Sequence, residues 1–177
     1  MKIILVVVTS IDGITYQKGK APEAHHEWTS QEDKDFFNKT RDNATLIFMG
    51  RKTYEGAKSY MVHSDQKLRI VFTKNPELYK EEEIKGQLEF TNENPKDAVT
   101  RLQNAGYTDA LLVGGASINV EFFTNNLVTE IWQTVEPVLL GDGAGILGKI
   151  DRNINLELLS QEKLNGKGTL LLKYKVI

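Results

Sequence analysis

Apolar residues along this chain fall into two kinds of pattern. Short, nearly unbroken and often β-branched runs recur at 2–9, 44–49, 68–73 and 109–113, as expected of strands buried on both faces of a sheet. A weaker run covers 88–90. Helix signals lie between them. Trp28-Thr29-Ser30-Gln31-Glu32-Asp33 offers Ser30 or Thr29 as a cap and acids in the first turn, with Phe36, Phe37 and Trp28 for the apolar face. A short helix is predicted from near Arg51. Asn94-Pro95 opens another, with Ala98, Val99, Leu102 and Ala105 inward and Gly106 closing it. The Gly114-Gly115 turn leads into a helix running through Phe122-Phe123. After Asn125-Asn126 the pattern changes: 128–135, 154–160 and 168–177 read as strands, and no helix separates the last two. Residues 14–28, with Gly19 and Pro22, read as an irregular surface loop, and the charged stretch 79–86 as exposed. Lys74-Asn75-Pro76 ends the strand before it, because proline cannot continue the ladder. The prediction is an α/β fold in one domain, 1–177: a mostly parallel central sheet flanked by helices, finished by an antiparallel C-terminal hairpin.

Two strand ends carry glycine followed by helix-compatible sequence. One is Thr45-Leu-Ile-Phe-Met-Gly50-Arg51-Lys52-Thr53-Tyr54-Glu55; the other is Asp109-Ala-Leu-Leu-Val-Gly114-Gly115-Ala116-Ser117. Such ends are where open α/β sheets receive phosphorylated ligands. Arg51, Lys52 and Thr53 would converge on phosphate oxygens. At Gly114-Gly115 backbone can approach a ligand closely because no Cβ intervenes, and Ala116 and Ser117 would present helix amides to a pyrophosphate. Two such ends with a basic pair predict a dinucleotide bearing an extra phosphate, NADPH.

Composition narrows the alternatives. The 177 residues are 40% hydrophobic and 26% charged, with 22 basic against 24 acidic side chains. That balance leaves no footprint for nucleic acid or an anionic membrane, and no apolar run reaches bilayer length. No cysteine is present, which excludes disulfides, thiolate catalysis and cysteine-ligated metal and fits a cytoplasmic setting. His25-His26 beside Glu27 lacks a third ligand at useful spacing, so no metal site is expected. A Gly-x-Ser-x-Gly elbow is absent too.

Taken in order, five segments resemble the dihydrofolate-reductase-like superfamily, and within it the riboflavin-biosynthesis pyrimidine reductases. They are Thr9-Ser10-Ile11-Asp12-Gly13, Ser30-Gln31-Glu32-Asp33, Met49 through Glu55, Val113-Gly114-Gly115-Ala116, and Leu127 through Glu136-Pro137 to Gly143. Pro137-Val-Leu-Leu-Gly141-Asp-Gly143 favours the pyrimidine-reductase branch, whereas Trp28, Asp33 and Phe37 also match the tryptophan, acid and aromatic of true dihydrofolate reductases. The deaminase that accompanies the reductase in bifunctional relatives needs zinc-binding cysteines, which this chain lacks.

The resemblance implies a reductase transferring hydride from NADPH to a small substrate, an aminopyrimidine ribosyl phosphate. A true dihydrofolate reductase and an inactive NADPH-binding relative are the alternatives. It also implies a cis peptide between Gly114 and Gly115. Thr73, Lys74 and Asn75 would flank the 2′-phosphate, although Lys74 reads equally as a solvated turn charge. Asp33 is the candidate proton donor, with Glu32 as its neighbour in reserve; the competing reading is an acid stabilising the helix start. Asp12 and Gly13 would border the nicotinamide, while Trp28 and Phe37 would pack on substrate. Lys18 and Lys20 are the cations available for a substrate phosphate in the 14–28 loop. Glu130 has a structural or substrate-proximal role. A homodimer through the late strands would use Ile131, Trp132 and Val135.

Overall fold

A computed structural model of the chain describes residues 1–20 and 27–177. The pair His25-His26 lies outside the described residues. The elements run β1 (Lys2–Ser10), β2 (Tyr16–Gln17), α1 (Gln31–Asn43), β3 (Leu46–Gly50), α2 (Arg51–Ala57), β4 (Leu68–Phe72), β5 (Leu88–Thr91), α3 (Pro95–Asn104), β6 (Asp109–Leu112), α4 (Ala116–Thr124), β7 (Glu130–Glu136), β8 (Gly143–Ala144), β9 (Leu156–Lys163) and β10 (Leu170–Val176). Eight strands form one sheet in the order β5-β4-β3-β6-β1-β7-β10-β9. The first six pair in parallel, and β10 runs antiparallel to both β7 and β9.

Alternation along the buried strands divides the core into two layers, because successive side chains leave a strand on opposite faces. Leu5, Phe48, Ile70 and Leu112 point to the face covered by α3 and α4, where they meet Leu102, Ile118 and Phe122. Val6, Ile47, Met49, Val71 and Leu111 point to the other face, which Phe36, Phe37 and Tyr54 of α1 and α2 cover. Ser30 caps α1 by accepting the Asp33 N–H at 3.2 Å, and Asn94 caps α3 in the same way through the Lys96 N–H. Among the described residues no helix is long and apolar enough to cross a membrane.

The connection after β1 is more ordered than its composition suggested. Ile14 is buried, its N–H donating to Ser10 Oγ at 3.0 Å. Tyr16–Gln17 pairs with Gly143–Ala144 as a two-residue antiparallel ladder. A Cβ on Gly143 would stand 2.2 Å from the Tyr16 carbonyl oxygen, so glycine is what lets these segments meet. The charged stretch 79–86 is largely exposed, as expected, though Tyr79, Glu82 and Ile84 are half-buried. Residues Pro76–Glu82 form a 3-10 helix in which Tyr79 stacks on Phe90 at 4.7 Å.

The late strands correct one expectation. β7 is an interior strand between β1 and β10, so Ile131 is buried in the core, and Trp132 packs on Phe36 beneath the Lys173 ammonium. Ile131 and Trp132 are thus engaged within the chain, while Val135 is half-buried on the same strand. The apolar groups exposed at that end include Leu156, Leu158 and Leu159 on the edge strand β9, with Leu170 on β10 and the terminal Ile177.

Candidate active site

The two glycine-marked strand ends lie side by side. Pairing of β3 with β6 aligns Phe48 with Leu112, and the Gly50 N–H donates to the Gly114 carbonyl at 2.7 Å. A Cβ on Gly50 would fall 3.5 Å from the Gly115 nitrogen, and one on Gly115 would fall 3.5 Å from Thr53 Oγ1. Gly114 has φ +94 and is joined to Gly115 by a cis peptide. Gly50 precedes α2 and Gly115 precedes α4. Both helices therefore start at one crevice along the carboxyl edge of the sheet, where strand order departs from chain order. Because Gly50 pairs with Phe72, Thr73 and Lys74 emerge beside Arg51 and Lys52. Lys52 and Lys74 are exposed. Arg51 is held by Glu55, its Nη1 lying 2.9 Å from both carboxylate oxygens, and the Tyr79 hydroxyl donates to the same carboxylate at 2.5 Å. That hydroxyl, followed by Arg51, holds the Glu55 carboxyl below the usual range.

From the crevice a cleft of about 1020 Å³ runs between α1 and the sheet. Val6, Asp33, Phe37, Thr53, Arg69 and Thr134 are among the residues lining it. Asp33 is only 6% exposed, and its carboxylate accepts a hydrogen bond from the Thr134 hydroxyl on β7. Successive helical residues diverge by about 100°, so the neighbouring Glu32 faces outward, where its carboxylate accepts from Asn165 at 3.0 Å. Asn165 holds that carboxyl below its ordinary value. The structure thus separates the two candidate acids, with Asp33 inside and Glu32 outside.

Behind Asp33 stands Glu136, a buried carboxylate at the end of β7. It accepts from the Ser30 N–H at 2.8 Å, the Ser30 hydroxyl at 2.6 Å and the Thr169 hydroxyl at 2.7 Å. Ser30 both donates to Glu136 and accepts from the Asp33 N–H, which fixes the first turn of α1 to the sheet.

At the end of the cleft beside β4, Arg69 is 5% exposed. Its Nη2 donates to the Val62 carbonyl at 2.8 Å, and Nη1 has no partner. Burial, followed by the charge of Arg41, pushes this guanidinium down from its ordinary value. Lys67 beside it donates to the Arg41 carbonyl at 2.6 Å, closing the last turn of α1. At the opposite end, a slot next to Gly114-Gly115 holds Asn119, which is 2% exposed. Its Nδ2 donates to the Ile146 carbonyl at 2.8 Å and its Oδ1 is unpartnered. Tyr16 lines both the slot and the cleft; burial pushes its phenol up, against a hydrogen bond from Thr53.

Other predicted residues sit apart from this lining. Asp12 is exposed and tethers its turn to the strand-end segment after β7, accepting from the Gly141 N–H at 2.8 Å and the Leu140 N–H at 3.2 Å. Hydrogen bonds from the Ser10 hydroxyl and then Gly141 hold its carboxyl low. Gly13 serves the same turn with φ +79. Trp28 is half-buried in the turn before α1, and Ser117 is exposed in the first turn of α4. Lys18 pairs with Asp142 at 3.0 Å on the surface. Glu130 bonds Lys2 at 2.6 Å and the Trp132 indole N–H at 2.8 Å, a structural arrangement.

Arg69, Thr134, Glu136, Tyr16 and Asn119 carried no assigned role in the sequence reading. Arg69 had a usable signal, a cation interrupting an otherwise apolar buried strand. Thr134 and Glu136 share one face of β7 by period two, but their partners are more than 30 residues away in sequence.

Comparison with known proteins identifies the family and the fold. The family described as the RibD C-terminal domain matches residues 1–170. YwjB of Bacillus subtilis, an uncharacterised protein, is 27% identical over 172 residues, covering 95% of this chain and 90% of its own. A pyrimidine reductase-like protein of Corynebacterium diphtheriae superposes with a TM-score of 0.75 at 17% identity, covering 99% of this chain and 92% of that one. Dihydrofolate reductase from Enterococcus faecalis, solved with NADP(H), superposes with a TM-score of 0.68 at 16% identity, covering 99% of this chain and 96% of that one. The fold is dihydrofolate-reductase-like, and by the match across its length the chain belongs to the RibD C-terminal domain family.

Proposed function

We propose that this chain is an NADPH-dependent reductase acting on a small anionic heterocycle, with an aminopyrimidine ribosyl phosphate as the substrate class. The observation that carries this reading is the junction of Gly50 and Gly114-Gly115 at the mouth of a cleft containing a buried acid. Two features of the crevice support a dinucleotide: Gly114 holds φ +94, a turn conformation that leaves the backbone bare beside the ligand, and a buried acceptor, Asn119 Oδ1, awaits a donor. Gly50, Thr53 and Gly114 through Ser117 would hold the pyrophosphate. Arg51 and Lys52, with Thr73 and Lys74 beside them, would meet the 2′-phosphate, Arg51 being aimed by Glu55 and Tyr79. When bound, the cofactor supplies a hydride.

The remaining work falls to this chain's residues. Hydride addition to a C=N or C=O carbon leaves negative charge on the heteroatom, and Asp33 delivers the proton there. Thr134 orients that carboxyl, and Ser30 with Glu136 fixes its helix. Phe37 packs against the substrate, and Trp28 completes the apolar wall from the turn ahead of α1. Arg69 accounts for the anionic end of the substrate: among the described residues its guanidinium has the charge of Asp42 near it but no direct ion pair, so an anionic ligand would neutralise it further.

The test follows NADPH absorbance with an aminopyrimidine ribosyl phosphate and, separately, with dihydrofolate. Asp33→Asn is expected to lower kcat by about 10²-fold or more, the usual contribution of a positioned general acid, while leaving NADPH affinity intact. Turnover unchanged in Asp33→Asn removes Asp33 from the chemistry. Turnover of dihydrofolate alone moves the substrate class to folates.

A further inference from the structure

We propose that Asn119 and Thr15 recognise the carboxamide of the nicotinamide ring, making the slot beside Gly114-Gly115 a primary-amide subsite. This rests on the dinucleotide reading above and assigns to it two side chains that the glycine motifs do not reveal. Asn119 is the stronger observation. Its Nδ2 is committed to the Ile146 carbonyl at 2.8 Å, and since a carbonyl takes only donors, the amide orientation is fixed. Its Oδ1 is therefore a pure acceptor, buried and unpartnered. Buried polar atoms in folded proteins are nearly always satisfied, so an orphan facing a slot implies a missing donor.

Thr15 adds the second half. Its hydroxyl is also buried and unpartnered, and Thr15 lines both the slot and the main cleft. A hydroxyl both donates and accepts, so the pair offers one acceptor and one donor. A primary carboxamide presents the complement, an N–H and a C=O on one planar carbon. The remaining walls include Val6, Val7, the two glycines and Tyr16, whose hydroxyl is engaged by Thr53. The slot has about 20 Å³ of solvent-sized room, enough for one small polar group and too little for a ring. A carboxamide would enter it while its ring stays in the cleft, whose Val6, Val7, Thr15, Tyr16 and Val113 border both spaces.

The experiment measures binding, not turnover. Quenching of the tryptophans Trp28 and Trp132 is titrated with NADP⁺ and with its acetylpyridine analogue, which carries a methyl group where the carboxamide has NH₂. The intact protein should bind the analogue about tenfold more weakly, the loss of one buried hydrogen bond that leaves an acceptor unpaired. Asn119→Ala should bring the two ligands within about twofold by weakening NADP⁺ alone. Thr15→Val should weaken both ligands alike, since both keep the carbonyl. Equal affinities in the intact protein, or a gap that survives Asn119→Ala, would show that solvent satisfies Oδ1 and would overturn the subsite while leaving the dinucleotide crevice standing. If neither ligand binds, both readings fall together.

Discussion

Replacing Glu136 by glutamine tests how the fold holds its candidate acid. The carboxylate is 3% exposed and accepts three hydrogen bonds, two from Ser30 and one from Thr169. Hydrogen bonds to a charged acceptor contribute about 1.5–3 kcal/mol each. Glutamine keeps one oxygen for Ser30 but turns an N–H₂ toward the Thr169 hydroxyl. That hydroxyl already accepts from Asn165 at 2.8 Å, so its own proton falls back on the Ser30 hydroxyl at 3.4 Å. One charge-assisted bond is lost and two are weakened, giving a cost of about 3 kcal/mol. For a chain of this size that corresponds to a fall in Tm of about 6–12 °C. The effect should be local as well as global, because Ser30 would lose its anchor while remaining the acceptor for the Asp33 N–H. Thermal and urea melts of Glu136→Gln and Thr169→Val provide the measurement, with Thr169→Val expected to lose about half as much. A Glu136→Gln protein melting within about 2 °C of the original, on the same size scaling, would refute the claim that this carboxylate pins α1 to the sheet.

Two further outcomes follow from single residues. Arg69→Met removes a buried charge that donates to the Val62 carbonyl; inorganic phosphate should raise the Tm of the original protein and not that of the variant, and an equal rise in both would mean that Arg69 does not hold the anion. Gly143→Ala would drive its Cβ to 2.2 Å from the Tyr16 carbonyl and 2.6 Å from Ile14 Cγ2, so amide exchange should accelerate at Thr15 and Lys18, which donate to Ala144 and Asp142 across this ladder; unchanged exchange there would contradict the close approach.

Much of the fold was legible because its strands are buried on both faces. The runs at 44–49, 68–73 and 109–113 correspond to β3, β4 and β6, since a parallel strand covered by helices leaves no polar face to confuse the pattern. The cap at Ser30 and the turn at Gly106 were equally local signals. The loop at 14–28 was misread in its early part because its order comes from elsewhere: Gly143 and Ala144 pair with it, and Gly141 bonds Asp12. Local sequence cannot report a partner more than 100 residues away. The candidate site divides along the same line. Gly50, Gly114 and Gly115 announced themselves, because a backbone that must come close to something demands glycine in the sequence. Asp33 could be separated from Glu32 only by the facing of α1, which Thr134 and Asn165 reveal. Arg69 and Asn119 became conspicuous only when their unpartnered atoms were found buried. The late-strand apolar residues illustrate the opposite error. Ile131 reads as surface in an alternating strand, yet β7 lies inside the sheet and Ile131 is core.

The proposed activity requires one joint between two strand ends serving one bound dinucleotide. A crystal structure of the protein grown with NADP⁺ tests it most directly. The result it predicts is a single cofactor bridging Gly50 through Thr53 and Gly114 through Ser117, its 2′-phosphate against Arg51 or Lys74 and its nicotinamide facing the Asp33 cleft. A dinucleotide seated elsewhere, or bound to one glycine turn while the other faces solvent, would contradict it.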